Sequence, residues 1–297
     1  MKPHQKAQQH RTRPTKSGRV HWLSHQHGAW AMVVMPFVVG MIGGGIRWVH
    51  LPLAALWISG YCTLFAGDQW LHIRSVARKR RAALPLIVWA LATLICGVVT
   101  LIVTGVSLLW WIPVFAPLLV LVVVLELTHQ EHGLLARSSM VCAAGLMCAV
   151  SWNAGSSGTS FGQIWTGFDS RPVPIVVTAL VTGYLVSTVP YVKSLVREAH
   201  NPVYRFLTVS IHGFGIAVAC VLAALGLASW WIAGMWVVLT LRQEVFHALF
   251  SRLYTPARQR SGEGRSGARP SRARMMMYVG ITEVICTCLH VPAVLIV

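Results

Sequence analysis

Charge is what this sequence has least of. Only 11% of the 297 residues are charged, against about 25% in an ordinary soluble domain, which excludes a water-soluble globule. Acidic residues are scarcer still, with 8 Asp and Glu against 25 Lys and Arg and a formal net charge of +17. The positive charge is dispersed in short stretches between apolar runs. That pattern faces anionic lipid headgroups and argues against a nucleic-acid partner. No CxxC occurs. The seven cysteines (Cys62, Cys96, Cys142, Cys148, Cys220, Cys286 and Cys288) sit inside apolar stretches and are odd in number, so neither a disulfide framework nor a thiolate zinc site is indicated. Cleavable-signal features and short-period repeats are also missing, as is the inverted repeat with interrupted helices that marks many transporters.

Hydrophobicity is what remains. Apolar residues make up 55% of the chain, and the mean hydropathy is +0.62. Nine apolar segments can be drawn, at about 28–46, 48–66, 84–104, 107–127, 138–154, 173–193, 206–227, 230–250 and 275–297. Helices satisfy their own backbone groups in lipid, and these segments are too long and too uniformly apolar for barrel strands. The expected fold is therefore an all-α polytopic membrane protein of about nine transmembrane helices. A basic, disordered leader over residues 1–26 precedes a single transmembrane domain over 27–297. A Gly, Ser, Arg and Pro-rich linker falls at about 255–274.

Orientation follows from counting. With nine spans and a cytoplasmic N-terminus, 22 of the 25 Lys and Arg lie in or beside cytoplasmic pieces, with Arg242 inside a span and only Arg47 and Arg171 outside. The positive-inside rule predicts that bias, and hence an N-in, C-out topology.

Ionisable residues inside spans are the informative ones, because each costs about 2.5–3.5 kcal/mol near the midplane on insertion scales. Arg242 and Glu283 fall at similar depth on consecutive antiparallel spans. They are expected either to pair with each other or to line a ligand cavity. Lys193 and Arg197 share one face at the end of span 6, where they can anchor at the membrane surface or hold an anion. His212, in span 7, is either a hydrogen-bonded packing residue or a ligand contact. The spacing Glu-x-x-His occurs twice, as Glu126…His129 and Glu244…His247. It puts carboxylate and imidazole on one helix face, as in carboxylate di-iron bundles, with Glu131 and His132 as further donors beside the first pair. His21, His25 and His27 can hold a metal or anchor at the surface.

The first span opens Gln26-His27-Gly28-Ala29-Trp30-Ala31-Met32, and a later stretch reads Tyr191-Val192-Lys193-Ser194-Leu195-Val196-Arg197-Glu198, then Asn201-Pro202-Val203-Tyr204. With His212 and the closing Gly280-Ile281-Thr282-Glu283, these resemble the YwiC-like family of bacterial integral membrane proteins from about residue 25 onward. The resemblance implies a multi-pass protein of the bacterial plasma membrane, and the family carries no established activity.

Nine N-in helices with basic loops after spans 2 and 6 are also similar in layout to UbiA-type prenyltransferases. That resemblance implies a helical ring around a lipid-filled cavity. It also implies Mg²⁺ held by Asp-rich motifs at both loops, where this chain offers only Asp68 and Glu198. The functional expectation is a cavity, open to the cytoplasm, for an isoprenoid, quinone or other lipid-like ligand. Its candidate residues are His27, Trp30, Arg74, Tyr191, Lys193, Arg197, His212, Arg242 and Glu283. No cofactor is evident; Mg²⁺ enters only with the alternative of a prenyltransferase-like enzyme, and a small-molecule transporter is a further alternative. The expected partners are membrane lipids and their anionic headgroups.

Overall fold

The computed structural model describes residues 20–24, 27–128, 130, 133–156, 173–196, 201–254 and 272–296. The basic leader up to residue 19, most of the 255–274 linker, and the donors Arg197, Glu198, His129, Glu131, His132 and His25 lie outside the described residues, as does the side chain of His27. The described chain is helical throughout: α1 (His27–Gly44), α2 (His50–His72), α3 (Val76–Thr104), a 3₁₀ turn (Gly105–Trp111), α4 (Ile112–Leu127), α5 (Leu134–Gly155), α6 (Pro174–Val196), α7 (Pro202–Ala224), α8 (Trp230–Tyr254) and α9 (Arg272–Leu295). These nine helices fall on the nine apolar segments of the sequence.

Six of them, α3 to α7 and α9, contain stretches long and apolar enough to cross a membrane. Their burial is uneven in a way that water would not tolerate. Only 6% of the apolar window of α3 and 11% of that of α4 is buried, against 56% for both α5 and α6. Ile87, Leu91, Leu94, Ile95 and Ile102 of α3 point outward. An apolar exterior of this extent belongs in hydrocarbon.

Local chemistry sets the helix ends. Asn201 caps α7 by accepting from the Val203 amide, and Pro202 fills the first turn, where its missing N–H costs nothing. Gly105 (φ 69°) ends α3 in the left-handed region that glycine enters freely.

The tightest packing is α1 against α5. A Cβ added at Gly40 would fall inside contact distance of the Cys148 carbonyl and the Ser151 hydroxyl, and one at Gly43 or Gly44 would overlap Trp152. Small residues of this kind let two helix backbones approach where lipid gives no hydrophobic drive to association. Ser151 Oγ donates to the Phe37 carbonyl across the same seam (2.9 Å). The ring of His50 reaches the Ser151 carbonyl from the start of α2 (2.9 Å).

Around this seam α1 also meets α6 and α9, α2 lies along α3, and α8 packs on α7, α9 and α6. The larger core cluster runs through α1, α5, α6 and α8 into α9. The second half of the bundle, α6 to α9, holds most of the buried polar side chains.

Candidate functional site

Seven-residue spacing on α6 brings Tyr184 and Tyr191 to one side of that helix. On α9, Glu283, Thr287 and His290 repeat at intervals of four and three and share a face. On α8, Trp236 and Gln243 are again seven apart, with Arg242 adjacent. These side chains meet inside the bundle and are all buried or nearly so.

At their centre, Arg242 Nη1 donates to Glu283 Oε2 (2.7 Å), with the two side chains 8% and 16% exposed. Arg242 lies 12 residues before the end of α8 and Glu283 lies 11 residues into α9. At 1.5 Å per residue that is about 16–18 Å from the helix ends, deep within the packed bundle. An isolated charge there is costly, and pairing is what permits both. Of the two expectations for these charges, pairing is found.

Further contacts organise the pair. Tyr184 Oη donates to Glu283 Oε1 (2.7 Å). Thr287 Oγ1 sits 3.0 Å from that phenolic oxygen and donates to the Glu283 carbonyl (2.8 Å). The His290 ring stacks on Tyr184, with centroids 4.5 Å apart and planes 21° apart. The Arg242 guanidinium lies over the Tyr191 ring at 4.6 Å, a cation–π contact that strengthens away from water. His212 Nδ1 donates to the Thr208 carbonyl (2.8 Å) and turns its ring edgewise to Trp236 (5.8 Å).

Some of these polar atoms are not satisfied. Tyr191 Oη, Trp236 Nε1 and Arg242 Nε are buried without a hydrogen-bond partner among the described residues. The Gln243 amide lies against His212 without a well-formed hydrogen bond. Neither His290 nitrogen completes one, although the Leu180 carbonyl is near. Native interiors leave few buried polar atoms unpaired, so their concentration on α6, α8 and α9 marks this region out.

Of the expected ligand residues, the structure gathers four: Tyr191, His212, Arg242 and Glu283. Trp30 is elsewhere, donating to the Ser24 carbonyl (3.0 Å) and packing edgewise on Tyr61. Arg74 is exposed between α2 and α3. Lys193 lies on a different face of α6 from Tyr191, with its ammonium 4.9 Å from the Tyr204 ring. The sequence reading missed Tyr184, Trp236, Gln243, Thr287 and His290. Their signal was available as polar residues recurring at three, four and seven positions around Arg242, Tyr191 and Glu283.

His129 lies outside the described residues, so of the two Glu-x-x-His pairs only Glu126, Glu244 and His247 can be placed. Glu244 engages Arg205 of α7, and His247 Nε2 is 3.1 Å from Ser194 Oγ of α6. Glu126 Oε1 lies 3.6 Å from His72 Nδ1 of α2. Among the described residues, Glu126, Glu244 and His247 form no metal-sized group.

A family model described as YwiC-like protein matches residues 23–152. That stretch is similar to the YwiC-like family. The uncharacterized protein YwiC of Bacillus subtilis (strain 168) is 26% identical over 193 residues, covering 63% of this chain and 72% of that protein. No solved structure matches. The YwiC-like match spans α1 to α5, so the polar cluster on α6 to α9 lies beyond it.

The magnesium centre implied by the prenyltransferase resemblance fits these residues poorly. Mg²⁺ requires near-octahedral oxygen coordination, yet Asp68 has an imidazole, that of His72, as its neighbour at 3.1 Å.

Proposed function

We propose that this YwiC-like protein is a multi-pass plasma-membrane protein that binds a neutral, carbonyl-bearing lipid, with a quinone as the best-fitting class. Its polar head would sit against the α6–α8–α9 cluster and its isoprenoid tail among the apolar helices. The observation that carries this reading is the set of buried groups without a well-formed hydrogen bond, Tyr191 Oη, Trp236 Nε1 and the Gln243 amide. Arg242 and Glu283 cancel each other's charge, so the region has little to offer an anion and much to offer a carbonyl acceptor. The topology that goes with it is N-in and C-out, supported by the basic residues after α2 and α6. That puts the Tyr191 end of the cluster toward the cytoplasm.

The experiment is solvent extraction and mass spectrometry of the protein purified in mild detergent. Isoprenoid quinone should co-purify above the level found with an unrelated membrane protein prepared from the same cells. Occupancy should fall at least fivefold in Tyr191→Phe and Gln243→Leu. Background-level quinone, or occupancy indifferent to both substitutions, would remove the proposal.

A further inference from the structure

We infer that Asp68, His72 and Glu126 form a binding site for a divalent transition ion of the zinc class, joining the ends of α2 and α4. His72 Nδ1 lies 3.1 Å from Asp68 Oδ1 and 3.6 Å from Glu126 Oε1, and the ligand atoms of all three residues are within 4.8 Å of one another. Donors bound at about 2.0–2.2 Å to one tetrahedral ion stand about 3.4 Å apart. The two short separations bracket that value, so an ion can be admitted with small side-chain adjustments.

The chemistry of the donors selects the ion. One imidazole and two carboxylates suit Zn²⁺ and its neighbours, whereas Mg²⁺ and Ca²⁺ prefer oxygen alone. Three protein ligands leave a fourth position open to solvent, consistent with Asp68 and His72 being exposed.

Position contributes as well. Asp68 and His72 are one turn apart on the last turns of α2, and Glu126 is in the last turn of α4. Both helices thus present their electronegative C-terminal ends to the site. Of the basic residues that follow α2, Lys79 has its ammonium over the Trp70 ring at 4.1 Å. His72 Nδ1 is also 2.9 Å from the Asp68 carbonyl, a hydrogen bond that coordination would replace. This site lies within the YwiC-like segment and is independent of the lipid reading.

The test uses the full chain in detergent, purified with a tag lacking histidine and stripped of metal. Zn²⁺ binding is followed by equilibrium dialysis with elemental analysis, and by the thermal midpoint with Zn²⁺ or Mg²⁺ added. The wild type should take up one more equivalent of Zn²⁺ than His72→Ala or Glu126→Gln, each of which should bind at that site at least tenfold more weakly. Zn²⁺ should raise the wild-type midpoint and not those of the variants, while Mg²⁺ has no effect on any of them. Asp68→Asn, at an exposed position, supplies a third variant should either of the others misfold. Equal Zn²⁺ stoichiometry and equal midpoint shifts across the wild type and variants would overturn the assignment, as would no Zn²⁺ binding by the wild type.

Discussion

Tyr184 donates a hydrogen bond from its hydroxyl to one oxygen of the Glu283 carboxylate while Arg242 holds the other. Three helices, α6, α8 and α9, are therefore tied to a single side chain near the middle of the bundle. The consequences of removing each partner are unequal.

Glu283→Gln should be the most damaging single change, because it leaves a guanidinium that cannot shed its charge. Breaking a buried pair from one side costs about 3–5 kcal/mol, and the thermal midpoint in detergent should fall accordingly. Arg242→Met should cost less, since the remaining carboxyl can take up a proton. The double variant should recover part of the loss, giving a coupling energy in a double-mutant cycle.

The two tyrosines should respond oppositely to loss of the hydroxyl. Tyr184→Phe removes a charge-assisted hydrogen bond and should destabilise by about 1.5–3 kcal/mol. Tyr191→Phe removes a buried hydroxyl that has no partner among the described residues, so unfolding of lipid-stripped protein should be unchanged or slightly harder. Unfolding curves for the two variants, recorded side by side, check this.

Glycine positions separate in the same way. Gly44→Leu should disrupt folding, because the new side chain meets the Trp152 backbone. Gly213→Ala and Gly234→Ala enter open space within helices and should stabilise by about 0.4–1 kcal/mol through lost chain entropy. Yield of monodisperse protein and its thermal midpoint are the readouts.

Cysteine-accessibility labelling tests the proposed orientation. In a background with the native cysteines replaced, Ser75→Cys and Asn201→Cys should react with a membrane-impermeant maleimide only after permeabilisation of intact cells. Ile46→Cys should react without it. Reversal of the pattern, or residues 75 and 201 on opposite sides, contradicts the N-in topology.

The helices were legible because a twenty-residue apolar run has few alternatives in lipid, and each of the nine segments became a helix. The Arg242–Glu283 pair was legible for a related reason: two opposite charges at matching depth on consecutive antiparallel helices have strong cause to meet. Tyr184, Trp236 and His290 were harder to see. Aromatic and imidazole side chains are tolerated in membrane helices, and only the rotational placement of α6, α8 and α9 makes them converge. Asp68, His72 and Glu126 were hidden differently, since α2 and α4 are separated in sequence by all of α3. The contact of Glu126 with His72 therefore spans a whole intervening helix, which spacing along the chain does not reveal.

The glycine seam between α1 and α5 has a mechanical corollary. With backbone resting on backbone at Gly40 and Gly44, there is no cushion of side chains that could be rearranged to let one rod slide along the other. The α1–α5 pair is thus a stiff spine, and relative movement within the bundle falls to the helices packed around it.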